Sequence, residues 1–122
     1  MKLGCAMLFV DDLGRMIDFF SETMGLHLVE ESRSDDWAEF DTGTTRFALH
    51  AIPHHLKSAS RPTEPARARD EAAAKLIFDV ENIDEELKRL SSLGVTLIHR
   101  PWGGRDVLDP EGNVIGLRAR PR

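Results

Sequence analysis

Two stretches of this chain carry the same punctuation. Val10-Asp11-Asp12-Leu13 recurs as Val80-Glu81-Asn82-Ile83 at an offset of 70, and Gly25-Leu26 recurs as Gly94-Val95 at an offset of 69. In each copy an apolar run ends at a side chain able to cap a helix, and a glycine follows where that helix must stop. The one-residue difference places a deletion inside the second helix. A duplicated unit of this size restricts the fold more than composition does, because each copy must reach the same local solution.

That solution can be read element by element. Residues 3–10 form a short apolar run bounded by Asp11-Asp12, the pattern of a buried strand. Leu13, Met16, Ile17, Phe20 and Met24 then recur at helical spacing behind an Asp12 N-cap. Strands are expected over 26–31, 37–41 and 46–52, joined by the polar stretch 32–36 and the turn Asp41-Thr42-Gly43-Thr44. In the second copy, 75–80 reads as a strand and Ile83, Leu87, Leu90 and Leu93 as a helical stripe. Asn82 and Glu85 have the spacing of a capping box. Strands over 95–99, 105–108 and 113–119 follow, the last two joined by Asp109-Pro110-Glu111-Gly112. Between the copies, 53–72 holds Pro53, Pro62 and Pro65 and almost no periodic apolar residues, which predicts a linker or mobile flap.

The reading is thus α+β: two tandem β-α-β-β-β modules, 1–52 and 73–122, within one domain of 122 residues. A four-stranded sheet with a helix on one face leaves the other face to be covered or used. Two curved sheets around a shared cavity meet that demand, so the repeat itself predicts a concave pocket.

Composition narrows the partners. With 16 basic and 21 acidic residues the net charge is -5, which disfavours a nucleic-acid partner and suits a neutral or cationic small molecule. No apolar run approaches the length of a membrane span, so no membrane partner and a cytoplasmic address are expected. The single cysteine, Cys5, can form neither an intramolecular disulfide nor, alone, a thiolate metal site.

Leu8-Phe9-Val10-Asp11-Asp12-Leu13, Phe19-Phe20, Met24-Gly25-Leu26 and the run from Pro101 through Asp109-Pro110-Glu111-Gly112-Asn113, set in this duplicated frame, resemble the vicinal oxygen chelate superfamily. That superfamily includes glyoxalase I, extradiol dioxygenases, fosfomycin resistance enzymes and bleomycin resistance proteins. The resemblance spans the chain apart from 53–72 and implies the paired-module fold, often as a homodimer. It also implies a place for a divalent ion: a His or Gln in the first strand, a carboxylate in the fourth, a His opening the fifth and a Glu in the last. Here those positions hold Cys5, Ala48, Lys75 and Gly116. Two offer no side-chain donor and one is an ammonium, so no metal and no cofactor are expected.

Strand alternation nominates the pocket wall. Met7 and Phe9 share the parity of Cys5; Trp37 and Glu39 face the pocket while Ala38 and Phe40 face the helix; His50 shares the face of Ala48. Trp37 and Trp102 are expected near the mouth as aromatic walls. Lys75, if inward, needs a partner such as Asp79 or Glu39, and Arg105 is placed to reach an anionic group. Gly103-Gly104 reads as a turn, His54-His55 as a solvated pair, and His27 and His99 as surface residues. The leading expectation is a small-molecule binding protein of the glyoxalase/bleomycin resistance type, holding an antibiotic or aromatic metabolite against Met7, Phe9, Trp37, Glu39, His50, Lys75, Trp102 and Arg105. The alternatives are a lyase, isomerase or dioxygenase-like enzyme, using Lys75 or an unusual metal set such as Cys5, Glu39 and His50, and a regulatory partner domain with a vestigial pocket. No catalytic residue is assigned.

Overall fold

The computed structural model describes residues 1–59 and 62–120, and the chain divides into two compact units, Met1–Pro62 and Thr63–Arg122. The first contains β1 (Cys5–Val10), α1 (Leu13–Asp18), β2 (His27–Val29), β3 (Trp37–Asp41) and β4 (Arg46–Ala51). The second contains β5 (Leu76–Val80), α2 (Ile83–Ser92), β6 (Leu97–His99), β7 (Arg105–Leu108) and β8 (Val114–Ala119). The duplication is reproduced in topology: the sheets run β1-β4-β3-β2 and β5-β8-β7-β6. In each, the first strand lies parallel to the last and the remaining neighbours are antiparallel.

Both helices start where the capping residues stand. Asp12 Oδ1 accepts from Arg15 N at 3.1 Å, and Asn82 Oδ1 accepts from Glu85 N at 3.1 Å. The first helix widens into a π-helical turn, Phe19–Thr23, that keeps Phe19 and Phe20 on the core side. Gly25 and Gly94 follow with φ of 81° and 83°, the left-handed positions expected of them.

Alternation sorts each sheet into two faces. In the first unit Val10, Ala38, Phe40, Phe47 and Leu49 are buried together with Met16, Ile17 and Phe20 of the helical segment. Phe20 packs edge-on to Phe47 with centroids 4.8 Å apart, and Phe40 stacks on Phe47 at 5.9 Å. In the second unit Val107, Ile115 and Leu117 are buried, as are Leu87 and Leu90 of α2.

The segment between the modules, expected as a linker or flap, makes contacts at several of its described residues. His54–Ala59 forms a 3-10 helix, and Lys57 Nζ donates to the Asp11 carbonyl at 2.9 Å. Further on, Arg69 N donates to Gly112 O at 2.8 Å and Arg69 Nε to Glu111 O at 3.0 Å. The backbone at Arg67 lies so close to the 109–113 turn that a Cβ on Gly112 would fall 2.0 Å from the Arg67 carbonyl oxygen. Ser58 and Ala59 are described by backbone only, and residues 60–61 of the same expected flap lie outside the described residues. The contacts of Lys57, Arg67 and Arg69 are polar or backbone ones, which hydrophobic periodicity does not register.

Candidate functional site

On the first sheet, the face opposite the helix carries an aromatic group. Phe9, His50 and Trp37 occupy one row across β1, β4 and β3, since Phe9 is in register with His50 and His50 with Trp37. Phe9 meets His50 edge-on at 5.3 Å between centroids, and Trp37 meets His50 at 5.8 Å. The next row, Met7, Ala48 and Glu39, is aliphatic with one carboxylate. Trp37 Nε1 donates to Glu39 Oε2 at 2.9 Å, which satisfies the indole and fixes the carboxylate beside it. Phe9 remains 58% exposed and Met7 39%, while Trp37, Glu39 and His50 are half-buried and Ala48 is buried.

His50 is held unevenly. Its Nε2 lies 4.0 Å from Asp36 Oδ2, whereas Nδ1 is buried without a hydrogen-bond partner. An unmet buried nitrogen costs about 1–3 kcal/mol, recoverable by a polar group that meets it.

The second sheet uses the equivalent face differently. Ile77, Gly116, Asp106 and Ile98 form its central row. Asp106 is 2% exposed, yet both carboxylate oxygens are engaged: Lys75 Nζ sits 2.7 Å from Oδ1 and Arg100 Nε 2.7 Å from Oδ2. Burial pushes the Asp106 carboxyl up, but hydrogen bonds from Lys75 and Arg100 outweigh it and hold the group below the ordinary carboxylate range. Arg100 also reaches Asp70 at 2.8 Å and lies under the exposed ring of Trp102, 5.8 Å from its centroid.

Lys75 lies just before β5, and Asp106 lies on β7 with β8 between them. Two strand spacings amount to roughly 10 Å. The lysine stem crosses β8 where Gly116 has no side chain, for a Cβ there would lie 3.2 Å from both Lys75 Cε and Ile77 Cγ1. The partner of Lys75 is therefore Asp106 rather than Asp79 or Glu39. Asp79 is taken by Arg118 at 2.7 Å.

Three other residues singled out in the sequence are placed as follows. Arg105 shares the parity of the buried Val107 and is in register with Leu117, so it stands on the face opposite to Asp106; its Nη1 donates to Gly103 O at 3.2 Å. His27 and His99 are exposed, as expected. Asp106, Arg100, Asp70 and Asp36 were not foreseen. The repeat held a signal for Asp106: it stands in register with Gly116 as Glu39 does with Ala48.

The 109–113 turn is a closed polar unit. Asp109 Oδ1 accepts from Glu111 N and Asn113 N, both at 2.9 Å, and Oδ2 accepts from Asn113 Nδ2 at 2.7 Å. Burial pushes the Asp109 carboxyl above its ordinary range despite these bonds.

The donor chemistry does not fit the divalent ion that the fold implies. Cys5, Glu39 and His50 share one face, yet among the described residues no three His, Cys, Asp or Glu side chains are grouped to hold a metal ion. Lys75 places an ammonium, and Gly116 nothing, at two of the ligand positions. No helix among the described residues is long and apolar enough to cross a membrane.

Two β-α-β-β-β units, each a four-stranded sheet with a helix on one face, define the glyoxalase-like class of α+β scaffolds. The chain belongs to the Glyoxalase/Bleomycin resistance protein/Dioxygenase superfamily, whose family model matches residues 2–117. It is 25% identical to YraH of Bacillus subtilis (strain 168) over 124 residues, covering 96% of this chain and 97% of YraH. Among solved structures it resembles TnmS3, an antibiotic binding protein from Streptomyces sp. CB03234, with TM-score 0.70, 22% identity and coverage of 99% and 97%. It also resembles the lactoylglutathione lyase of Agrobacterium tumefaciens, with TM-score 0.65, 21% identity and coverage of 95% and 91%.

Proposed function

We propose that this protein binds a planar, partly aromatic small molecule on the open face of its first sheet and acts by sequestering it. The observation that supports the reading is the Phe9–His50–Trp37 row: three rings set edge to face, Phe9 exposed and the other two half-buried, next to a carboxylate fixed by the indole. A planar ligand on such a surface gains aromatic contact and apolar burial without ordering new side chains. Glu39 and Asp36 favour a ligand carrying positive charge, in keeping with the net charge of -5. That the same fold serves an antibiotic binding protein, TnmS3, supports antibiotics as a ligand class to test first. Sequestration requires affinity and abundance, not chemistry. The reading extends to a homodimer working in the cytoplasm, which sedimentation and cell fractionation address.

The test is calorimetric titration with planar cationic and neutral aromatic compounds. Saturable binding is expected, weakened about tenfold by Trp37→Ala and by Phe9→Ala. Binding that ignores both substitutions would place the ligand elsewhere.

A further inference from the structure

We infer that the open face of the second sheet is a recognition site for an aliphatic monocarboxylate, gripped by Lys75 and Arg100 with its apolar body on Ile77. Nothing in this inference depends on the aromatic face of the first sheet.

The reasoning begins with charge. Lys75 and Arg100 converge on the two oxygens of one carboxylate, each at 2.7 Å, so their cationic groups are held side by side. Asp106 lies 2% exposed beneath them and neutralises only one of the two. Among the described residues the second charge is met by Asp70, 2.8 Å from Arg100 Nη2, and that side chain is 58% exposed. An exposed ion pair of this kind contributes little, because water and salt compete with it. Asp70 therefore shows what the outer position accepts, a carboxylate, while holding it weakly. A ligand carboxylate arriving from solvent makes the same contact with Arg100 and takes donors from Lys75 as well. Lys75 is 39% exposed and its ammonium has three donors, of which Asp106 uses one. The two cations are prepositioned by a buried anion, so they need not be ordered on binding.

Beside the charges lies apolar surface. Ile77 is 55% exposed, and it borders the stem of Lys75 over Gly116. Ile98 ends the same row. A fixed cationic edge against an aliphatic patch selects an amphipathic acid over a small hydrophilic anion. Trp102, over Arg100 at 5.8 Å, reports on the site.

Hexanoate, hexanamide, acetate and inorganic phosphate are the probes, titrated into the full chain carrying Trp37→Phe so that Trp102 is its one tryptophan. Hexanoate should change Trp102 emission saturably and bind at least tenfold more tightly than hexanamide or acetate. Asp70→Asn should tighten hexanoate binding about threefold by removing the competing carboxylate. Lys75→Met keeps the stem over Gly116 and removes the charge, and should weaken hexanoate binding about tenfold with the circular dichroism spectrum unchanged. Equal binding of acid and amide, tighter binding of phosphate, or no hexanoate binding would each overturn the assignment. Asp70→Asn lies on the exposed side of the network, so if Lys75→Met fails to fold, an unchanged hexanoate affinity in Asp70→Asn still overturns it.

Discussion

Replacing Gly116 by valine should break the Lys75–Asp106 pair, and the geometry sets the size of the effect. A Cβ at 116 already stands 3.2 Å from Lys75 Cε and 3.5 Å from Asp106 Oδ1. The two methyl groups of valine extend further along that path, so the lysine stem must leave β8. Asp106 then keeps Arg100 alone. Orphaning a buried charge entirely costs about 3–5 kcal/mol, whereas losing one of two charged hydrogen bonds costs about 1.5–3 kcal/mol. Lys75 is 39% exposed, so about 2 kcal/mol is the expected loss. At about 5 °C per kcal/mol, the melting temperature falls about 10 °C. In a Lys75→Ala background the stem is gone, and of the close neighbours valine still meets Ile77 Cγ1 and, at 3.5 Å from its Cβ, Asp106 Oδ1. There the change from glycine to a β-branched residue in a strand should be neutral or stabilising by up to about 1 kcal/mol. Urea unfolding of the wild type, both single variants and the double variant measures the coupling, expected at 1 kcal/mol or more. An equal cost of Gly116→Val in both backgrounds would refute the claim that the missing side chain exists to let Lys75 across.

Two further predictions concern stability. Asn82→Ala removes the acceptor for Glu85 N and should cost about 1 kcal/mol, whereas Asn82→Asp should cost nothing measurable in thermal melts. Carboxyl NMR titration should find Asp106 protonating below, and Asp109 above, an ordinary aspartate near pH 3.9. Their contributions to stability run oppositely: that of Asp106 is present above about pH 3.9 and lost as pH falls through its lower folded pKa, while that of Asp109 is present in acid and lost as pH rises from about 3.9 through its higher folded pKa. Asp106→Asn should therefore flatten the acid limb of the stability curve, and an unchanged limb would show that the ion pairs contribute nothing.

The parts of the fold visible in the sequence are those fixed by local rules. Asp12 and Asn82 cap because their side chains reach the free amides of the next turn, an interaction spanning three residues. The strand faces follow from two-residue alternation, which placed Ala38 and Phe40 in the core and Trp37 and Glu39 opposite. What escaped depends on distant pairing. The ties of Lys57 and Arg69 to Asp11, Glu111 and Gly112 run through polar and backbone atoms and leave no periodic trace in 53–72. Asp79 and Glu39, the expected partners of Lys75, are not its partners, since nothing local reveals that a glycine 41 positions later opens a path across β8 to Asp106.

Register turns the duplication into a statement about function. Met7, Ala48 and Glu39 in the first sheet occupy the places of Ile77, Gly116 and Asp106 in the second: an aliphatic edge residue, a small residue in the adjacent strand, then a carboxylate. The buried helix-side residues of both copies, such as Phe40, Phe47, Val107 and Leu117, are held to apolar types by packing. The open faces carry no such demand, and there the copies part. Where the first has Cys5, the second has Lys75; where Glu39 answers to an indole, Asp106 answers to two cations. Ala48 carries the methyl group that Gly116 lacks, so a long side chain at position 5 would find its path to Glu39 obstructed. One backbone arrangement thus supports an aromatic surface in one unit and an ion-gripped surface in the other, and the choice turns on a single Cβ and the side chains that border it.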